Sequence, residues 1–261
     1  MRALALLGFW SSLGVAVGFS GPYPCGRRAL GTPQPAERCT GGLPRTMSSS
    51  TAASKAALRK EIKVVLKAMK PETVAAASQA LAERLIGSSI FKEGSVVSVY
   101  LSMPKEAQTA RLVEELFRQG KRVYIPKVVG PESRDMRMFP LHSLEEARSF
   151  PLTKWNIPEP PLEVVMGRED GAESGALDLI ITPGCAFDAA CNRLGHGRGY
   201  YDSFFERALK ACADKGRPRP VTVGLCLDEQ VVASVPVLPK DIPLDHVVTP
   251  TRTYSRASAD S

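Results

Sequence analysis

A glycine-rich stretch at 192–202, NRLGHGRGYYD, carries the residue types best suited to chemistry. Three glycines at alternate positions let successive backbone N–H groups turn inward and form a nest for an anion. A helix is predicted to begin directly after them, and its N-terminus adds partial positive charge. Arg193 and Arg198 supply planar donors that match phosphate oxygens. The stretch therefore predicts a phosphate-binding loop. The alternative is a flexible turn with solvated arginines.

The same stretch ends on a carboxylate that suits a metal ion. Asp202 falls one turn into the predicted helix, next to the expected phosphates. Mg²⁺ prefers few carboxylates together with phosphate oxygens and water, so Asp202 is placed to hold it. The loop is not a Walker A motif, because no Gly-Lys-Ser/Thr follows, and its glycine spacing differs from GxGxxG.

The elements that must position this loop alternate between strand and helix. The strands are predicted at 96–102, 122–126, 136–141, 177–182, 221–227 and 246–249, and the helices at 55–69, 71–87, 112–119 and 200–212. A polar surface loop is predicted at 163–175. Strands separated by helices favour an α/β fold of three layers, a largely parallel sheet with helices on both faces. Ligands of such folds bind beyond the carboxyl ends of the strands.

The first 46 residues resemble a targeting segment rather than part of the fold. An apolar, glycine-interrupted stretch at 3–19 is followed by a Gly/Pro/Arg-rich segment, and 1–46 holds five arginines against one glutamate. This composition is typical of a removable presequence. It predicts an organelle, the mitochondrion before the plastid. The alternative is a cytoplasmic form that starts at Met47. We expect 47–261 to form a single catalytic α/β domain.

The charge balance narrows the choice of partners. The net charge is +7, and more than half of it lies in 1–46. The body is therefore only mildly basic, which favours an anionic ligand and argues against duplex nucleic acid. The apolar stretch at 3–19 is too short for a bilayer span. We expect a monomer with no nucleic-acid partner and no membrane association.

Several motifs together resemble the 5-formyltetrahydrofolate cyclo-ligases, also called 5,10-methenyltetrahydrofolate synthetases. The signature is Arg193-Leu194-Gly195-x-Gly197-x-Gly199-Tyr200-Tyr201-Asp202. The other motifs recur in the family's order, and they are Lys55-x-x-x-Arg59, Leu101-Ser102-Met103-x-x-Glu106, Lys154-Trp155-Asn156-Ile157-Pro158 and Asp178-Leu179-Ile180-x-x-Pro183-Gly184-x-x-Phe187-Asp188. The resemblance covers about 55–250. This chain has His196 and Arg198 where the relatives carry Arg and Lys.

The resemblance implies an ATP-dependent ring closure in folate one-carbon metabolism, on a Rossmann-like sheet of the NagB/RpiA/CoA-transferase kind. ATP phosphorylates the formyl oxygen of 5-formyltetrahydrofolate, with or without a polyglutamate tail. The substrate's N10 then attacks the activated carbon, and phosphate leaves to give 5,10-methenyltetrahydrofolate. Such chemistry needs positioned cations and Mg²⁺ rather than a protein nucleophile.

The resemblance also implies roles for individual residues. ATP would be bound by Lys55, Arg59, Arg193, Leu194, Gly195, His196, Gly197, Arg198, Gly199, Tyr200 and Tyr201. Folate would contact Leu101, Glu106 and Trp155, together with His196, Gly197, Arg198, Gly199 and Tyr200. The catalytic residues would be Arg193, Arg198 and Tyr201, and the Mg²⁺ ligands Asp202 and Asp241.

Several of these residues also have explanations that involve no ligand. Lys63 and Lys67, which continue the basic stripe of Lys55 and Arg59, are interpreted as solvated. Glu106 alone would equally suit a helix N-terminus. Trp155 either stacks on the folate or packs under a proline-rich segment. Two other functions stay open: a non-catalytic relative, and a different ATP-using enzyme on the same scaffold.

Overall fold

The computed structural model describes residues 45–153 and 157–257, in which helices and strands alternate. The helices are α1 Arg45–Ala68, α2 Pro71–Gly87, α3 Ser89–Glu93, α4 Ala110–Arg118, α5 Leu144–Ser149, α6 Leu162–Met166, α7 Gly171–Ser174 and α8 Tyr200–Asp214. The strands are β1 Val96–Val99, β2 Arg122–Val128, β3 Met136–Leu141, β4 Leu179–Thr182, β5 Ala186–Phe187, β6 Arg193–Leu194, β7 Val221–Leu225, β8 His246–Val248 and β9 Thr253–Ser255. None of the helices in these ranges is long and apolar enough to cross a bilayer.

Seven of the strands form one sheet in the order β3-β2-β1-β4-β7-β8-β9. The five central strands are parallel to one another, with Val99 opposite Ile181 and Thr182 opposite Gly224. Only the edge strands β3 and β9 are antiparallel. The predicted largely parallel α/β sheet is therefore confirmed. Strands β5 and β6 pair with each other as a separate antiparallel hairpin.

Both faces of the sheet are covered, as its run of apolar residues requires. In β4, Leu179 and Ile181 pack on one face and Ile180 on the other, because successive side chains alternate along a strand. The first face packs against residues of α2, α3 and α4, and the second against residues of α7 and α8. This confirms the predicted three layers.

Helix α1 packs on the β5–β6 hairpin, and its Leu66 also contacts the main core. Ile62 shares a small apolar cluster with Cys185, Ala186, Leu194 and Val235. This contact places the opposite ends of the chain's body next to each other. The helix begins at Arg45, ten residues before the periodic pattern that predicted it.

The predicted polar loop at 163–175 is wrong. The stretch contains most of α6 and all of α7, and Asp170 is buried at the start of α7. Its carboxylate accepts hydrogen bonds from Ala172 N and Met138 N and pairs with Arg207 of α8 at 3.0 Å. Helices this short show no readable period, and Asp170 holds the packing together rather than facing solvent.

Candidate active site

The glycine-rich loop and the loop after β1 meet at one edge of the sheet. Strands β1 and β4 are parallel neighbours, so the segments that follow them emerge side by side. The first segment carries Glu106, and the second leads through the hairpin to Arg193 and α8. Burial chiefly, and then the negative charge of Glu106, raise the pKa of Tyr201, in agreement with segments that emerge on the same side of the sheet. This edge is where open α/β sheets bind ligands.

Two glycines give the loop its shape. Gly197 and Gly199 have φ of +103° and +73°, values that side-chain-bearing L-residues rarely adopt. Gly199 is the N-cap of α8 and has no side chain to satisfy the first N–H groups of the helix. Those groups and the helix dipole therefore face the loop, as a phosphate site requires.

The basic stripe of α1 divides into two parts. Lys55 is buried and Arg59 is half-buried, whereas Lys63 and Lys67 are exposed. Arg59 Nε donates to the carbonyl oxygen of Gly195 at 2.8 Å, so α1 is fastened to the glycine-rich loop. This matches the interpretation of Lys63 and Lys67 as solvated, and it places Arg59 at the predicted phosphate nest.

Lys55 forms an ion pair with Asp241, and both side chains are largely buried. The same carboxylate oxygen of Asp241 accepts a hydrogen bond from Leu238 N at 2.6 Å, while Asp241 N donates to Leu238 O at 2.9 Å. Asp241 thus closes a turn with Leu238 and also pairs with Lys55. The structure brings together a residue predicted to bind phosphate and one predicted to bind Mg²⁺.

A second ion pair repeats this arrangement. Arg193 Nη2 lies 3.0 Å from Asp202 Oδ1, and its Nη1 donates to Pro183 O at 3.3 Å. The guanidinium also lies over the rings of Tyr201 and Phe205, at 5.4 and 5.6 Å from their centroids, within cation–π range. Its Nε is buried and has no partner among the described residues.

Tyr201 has a buried hydroxyl without a hydrogen-bond partner in the described ranges. Burial first, and then the charge of Glu106, raise its pKa well above the usual value, while Arg193 lowers it. The hydroxyl therefore stays protonated and can only act as a hydrogen-bond donor or acceptor. A nucleophilic phenolate is excluded near neutral pH.

Glu106 is a buried carboxylate held by its own loop. One oxygen accepts from Met103 N at 2.8 Å, and Gln108 braces the loop by donating to Met103 O and Glu106 O at 2.8 and 2.7 Å. Burial raises the pKa of Glu106 to about 7, although the bond from Met103 lowers it. Leu101 is half-buried at the start of the same loop. The carboxylate is therefore poised between its two protonation states.

The remaining predicted residues lie at the rim or outside the described ranges. His196 and Arg198 are exposed, and Tyr200 is half-buried. Desolvation and the positive charges of Arg193 and Arg59 lower the pKa of His196, so it is neutral near pH 7. Trp155 lies outside the described residues, and the choice between stacking and packing stays a prediction.

Magnesium would need ligands from the nucleotide as well as from the protein. In the described part of the chain, no group of three or more His, Cys, Asp or Glu side chains could hold a metal ion. Asp202 and Asp241 supply one carboxylate each, and phosphate oxygens and water are the partners that Mg²⁺ prefers beside them. The donor set fits magnesium bound together with a phosphate ligand.

One supporting residue had no signal in the sequence. Gln230 is 2% exposed, and its Nε2 donates to Gly184 O and Cys185 O at 2.8 and 3.2 Å, while its Oε1 accepts from Leu227 N. It fixes the backbone between β4 and the hairpin. A single polar residue between short elements shows no pattern from which such a role could be predicted.

The fold is that of an α/β protein, and its glycine-rich loop before α8, with ion-paired basic residues beside it, is of the kind found in phosphate-binding enzymes. The model of the 5-formyltetrahydrofolate cyclo-ligase family matches residues 51–250. The mouse 5-formyltetrahydrofolate cyclo-ligase is 36% identical over 195 residues, which cover 75% of this chain and 93% of the mouse protein. The chain belongs to this family. Its members are ligases of folate one-carbon metabolism that use ATP as co-substrate.

Two further similarities bear on the compartment and the fold. An Arabidopsis thaliana protein named 5-formyltetrahydrofolate cyclo-ligase, mitochondrial, is 31% identical over 209 residues, covering 76% of this chain and 74% of its own length. The NMR structure of Aquifex aeolicus 5,10-methenyltetrahydrofolate synthetase aligns with a TM-score of 0.61 at 26% identity, covering 79% of this chain and 95% of that one. The expected fold class and family are thereby confirmed.

Proposed function

We propose that this protein uses the ion-paired edge of its sheet to convert 5-formyltetrahydrofolate and ATP into 5,10-methenyltetrahydrofolate, ADP and phosphate. The observation that carries the proposal is the two ion pairs, Lys55–Asp241 and Arg193–Asp202, which each join a proposed phosphate-binding cation to a proposed magnesium ligand. Strands β1 and β4 are parallel neighbours, so Glu106, a carboxylate suited to a pterin, would lie on the same side of the sheet as the glycine-rich loop. The two substrates would therefore meet between the β1 and β4 segments.

The nucleotide would be held from two sides. Lys55 and Arg59 of α1 and Arg193 of β6 would contact the phosphate oxygens, and the N–H groups at the start of α8 would add their dipoles. These cations need no rearrangement of the fold to neutralise the charge that develops during phosphoryl transfer. Tyr201 would donate its free hydroxyl to a phosphate oxygen, and exposed Arg198 would close over the outer side.

Asp202 and Asp241 would hold Mg²⁺ at the phosphates. The metal supplies charge neutralisation when it is bound. Each carboxylate is paired with a cation in the free protein, Asp241 with Lys55 and Asp202 with Arg193. On binding, Lys55 and Arg193 would turn to the phosphates, so every buried charge would keep a partner.

The folate would lie over the β1 loop. Glu106 would accept hydrogen bonds from the amide and amino edge of the pterin, which a carboxylate can do with both oxygens. Leu101 would pack against the ring, and Trp155 would add a stacking surface. The formyl oxygen attacks the γ-phosphorus and ADP leaves. N10 then forms a bond to the formyl carbon, loses its proton, and inorganic phosphate departs.

Ring closure itself is intramolecular, and the protein's task is to hold N10 near the activated carbon. Well-oriented intramolecular reactions gain effective molarities of roughly 10⁵ M or more. This explains why the site needs rigid loops more than a general base. His196 is neutral and exposed at the rim, and we assign it contact with the ligands rather than proton transfer.

The reaction assay uses the purified full chain with 5-formyltetrahydrofolate, ATP and Mg²⁺, followed by the near-ultraviolet absorbance of the methenyl product. Product that requires all three components supports the proposal. ATP binding without product would favour a different ATP-using enzyme. A folded protein that binds neither ligand would favour a non-catalytic relative.

We further propose that residues 1–46 direct the protein to the mitochondrion and are then removed, leaving 47–261 as a monomeric catalytic domain. The support is the excess of arginine over acidic residues in that segment, together with the name of the Arabidopsis relative. Fusing 1–46 to a fluorescent protein tests the address, and N-terminal sequencing of the native protein locates the cleavage. A fusion that reached the plastid would replace the mitochondrial address, and a fusion that reached no organelle would favour a cytoplasmic form that starts at Met47. Size-exclusion chromatography with light scattering tests the monomer.

A further inference from the structure

The turn of the β5–β6 hairpin is built around the carboxylate of Asp188. The residue is 3% exposed. Its Oδ1 accepts from Ala190 N and Asn192 N, both at 3.0 Å, and its Oδ2 accepts from Asn192 Nδ2 at 3.0 Å. Cys191 within this turn has φ of +63°, an uncommon value for a residue with a side chain. These bonds hold the backbone in a conformation that it would otherwise leave.

A fourth hydrogen bond connects Asp188 to a distant segment of the chain. Val235 N donates to Asp188 Oδ2 at 2.9 Å. Two backbone bonds run parallel to it, from Val232 N to Phe187 O at 2.8 Å and from Leu244 N to Cys191 O at 2.9 Å. Hydrogen bonds to the hairpin therefore hold the segment 232–244 at both of its ends. Asp241, the partner of Lys55, lies within that segment.

The other side of the same turn leads to the second carboxylate of the site. Asn192, held by Asp188, is followed directly by Arg193, whose guanidinium pairs with Asp202 at 3.0 Å. One buried carboxylate thus lies between the backbone that carries Asp241 and the backbone that carries the partner of Asp202.

We propose that Asp188 is a positioning residue that sets the placement of Asp241 relative to Asp202 and thereby the affinity for Mg²⁺ and ATP together. The inference rests on the proposed function of the site. A carboxylate is needed because four N–H donors point at its two oxygens. An asparagine of the same shape has only one acceptor oxygen, and its own N–H groups would face donors. Asp188 itself touches neither ligand.

The test compares the full-length wild type with Asp188→Asn and with a matched control, Asp178→Asn. Asp178 also accepts two backbone hydrogen bonds, from Ser95 N and Val96 N at 3.0 Å. It lies just before β4, at the end of the parallel strands opposite the candidate site. Titration calorimetry gives the Kd of ATP with Mg²⁺, of ATP with chelator, and of 5-formyltetrahydrofolate. For Asp188→Asn we expect the Kd of ATP with Mg²⁺ to rise about tenfold or more, the effect typical of losing a residue that orients metal ligands.

The other Kd values separate positioning from general damage. The Kd of 5-formyltetrahydrofolate and that of ATP without metal should stay within about threefold of wild type, a difference under 1 kcal/mol. Asp178→Asn should leave all three unchanged. If Asp188→Asn does not fold, Asn192→Ala removes only one of the four bonds. It should shift the same single Kd by a smaller factor.

Two results would overturn the inference. One is an unchanged Kd of ATP with Mg²⁺ in either folded variant of the hairpin. The other is an equal weakening of both substrates together with a lower Tm, which marks a structural role. If the wild type itself binds no ATP with Mg²⁺, the proposed function fails first, and the inference fails with it.

Discussion

Lys55 and Asp241 are 186 positions apart in the chain and form a largely buried ion pair. Desolvating two charges is expensive, and a hydrophobic pair would often be no less stable. The pair is therefore better explained by ligand binding than by stability. The Arg193–Asp202 pair has the same composition, one proposed phosphate-binding cation and one proposed magnesium ligand. In the free protein, each proposed phosphate-binding cation is therefore neutralised by a proposed magnesium ligand.

Breaking the first pair from its acidic side should change the role of the metal. In Asp241→Asn, Lys55 is released for phosphate, so ATP should bind without Mg²⁺ at least as tightly as it does to wild type. The tightening of ATP by Mg²⁺ should fall about tenfold, because one ligand carboxylate is lost. Calorimetric titration with ATP, in chelator and in excess Mg²⁺, measures both values.

Removing the lysine of the same ion pair should change the affinity for ATP in a different way. Lys55→Met should weaken ATP with and without metal, since the phosphate contact is lost in both. Lys63→Met, an exposed lysine two turns along the same helix, is the control and should bind as wild type does. In chelator, Asp241→Asn should not lose ATP affinity. A loss as large as that of Lys55→Met would contradict the proposal that Lys55 exchanges Asp241 for the phosphates.

Arg193→Ala and Asp202→Ala should each abolish measurable turnover while the fold is kept. Removal of a single preorganised donor costs about 10²–10³ in kcat in well-studied sites. Initial rates report the effect, and circular dichroism with the Tm reports the fold. Asp214→Ala, which breaks the exposed Lys210–Asp214 pair in the last turn of α8, is the matched control. Near-normal rates in both site variants would refute the assignment of the site.

Folate binding should depend on pH through Glu106, whose pKa is raised to about 7 chiefly by burial. Pterin N–H donors favour the ionised carboxylate, so binding should release a proton when the pH is below that value. Affinity should therefore rise between pH 6 and 8 and level off above. Calorimetry in buffers of different ionisation enthalpy counts the proton. Glu106→Gln should bind more weakly, with no such dependence; a retained dependence would implicate another group.

The same carboxylate should make stability fall with pH. The pKa is higher in the folded protein than its usual 4.5 in the unfolded chain, so the folded state binds the proton more tightly. The cost of burial is absent below 4.5, where both states are protonated, and is complete above about 7. Glu106→Gln should therefore have a Tm above that of wild type at pH 8 and close to it at pH 4.

Gly199→Ala should weaken ATP binding through the backbone alone. An added Cβ would meet Ser133 Cβ at 3.6 Å, which is ordinary contact, but φ of +73° costs an L-residue roughly 1–2 kcal/mol. We expect a lower Tm and an ATP Kd raised several-fold. Gly87→Ala, at the end of α2 with open space around it and no positive φ, should be neutral or stabilising. Equal effects of the two changes would show that the loop conformation is unimportant.

The sequence predicted the parts of the site that local patterns encode. The glycines and Arg193 predict the loop before α8. The family motif distinguishes Lys55 and Arg59, which are proposed to bind ATP, from the exposed Lys63 and Lys67. The pairing of Lys55 with Asp241 could not be predicted, because it depends on how α1 packs on the hairpin. Strands of two residues, β5 and β6, have no alternation to detect. The helices within 163–175 are likewise too short to show a period, and the burial of Asp170 against Arg207 depends on how α7 packs on α8.

The handedness of the backbone at Gly199 allows a test that ordinary mutagenesis lacks. A positive φ is the natural conformation of a D-amino acid, as hairpin designs with D-residues exploit. A protein assembled by chemical ligation with D-alanine at position 199 would carry a methyl group in an unstrained loop. Comparing it with L-alanine would separate the space that an incoming phosphate needs from the turn that glycine permits.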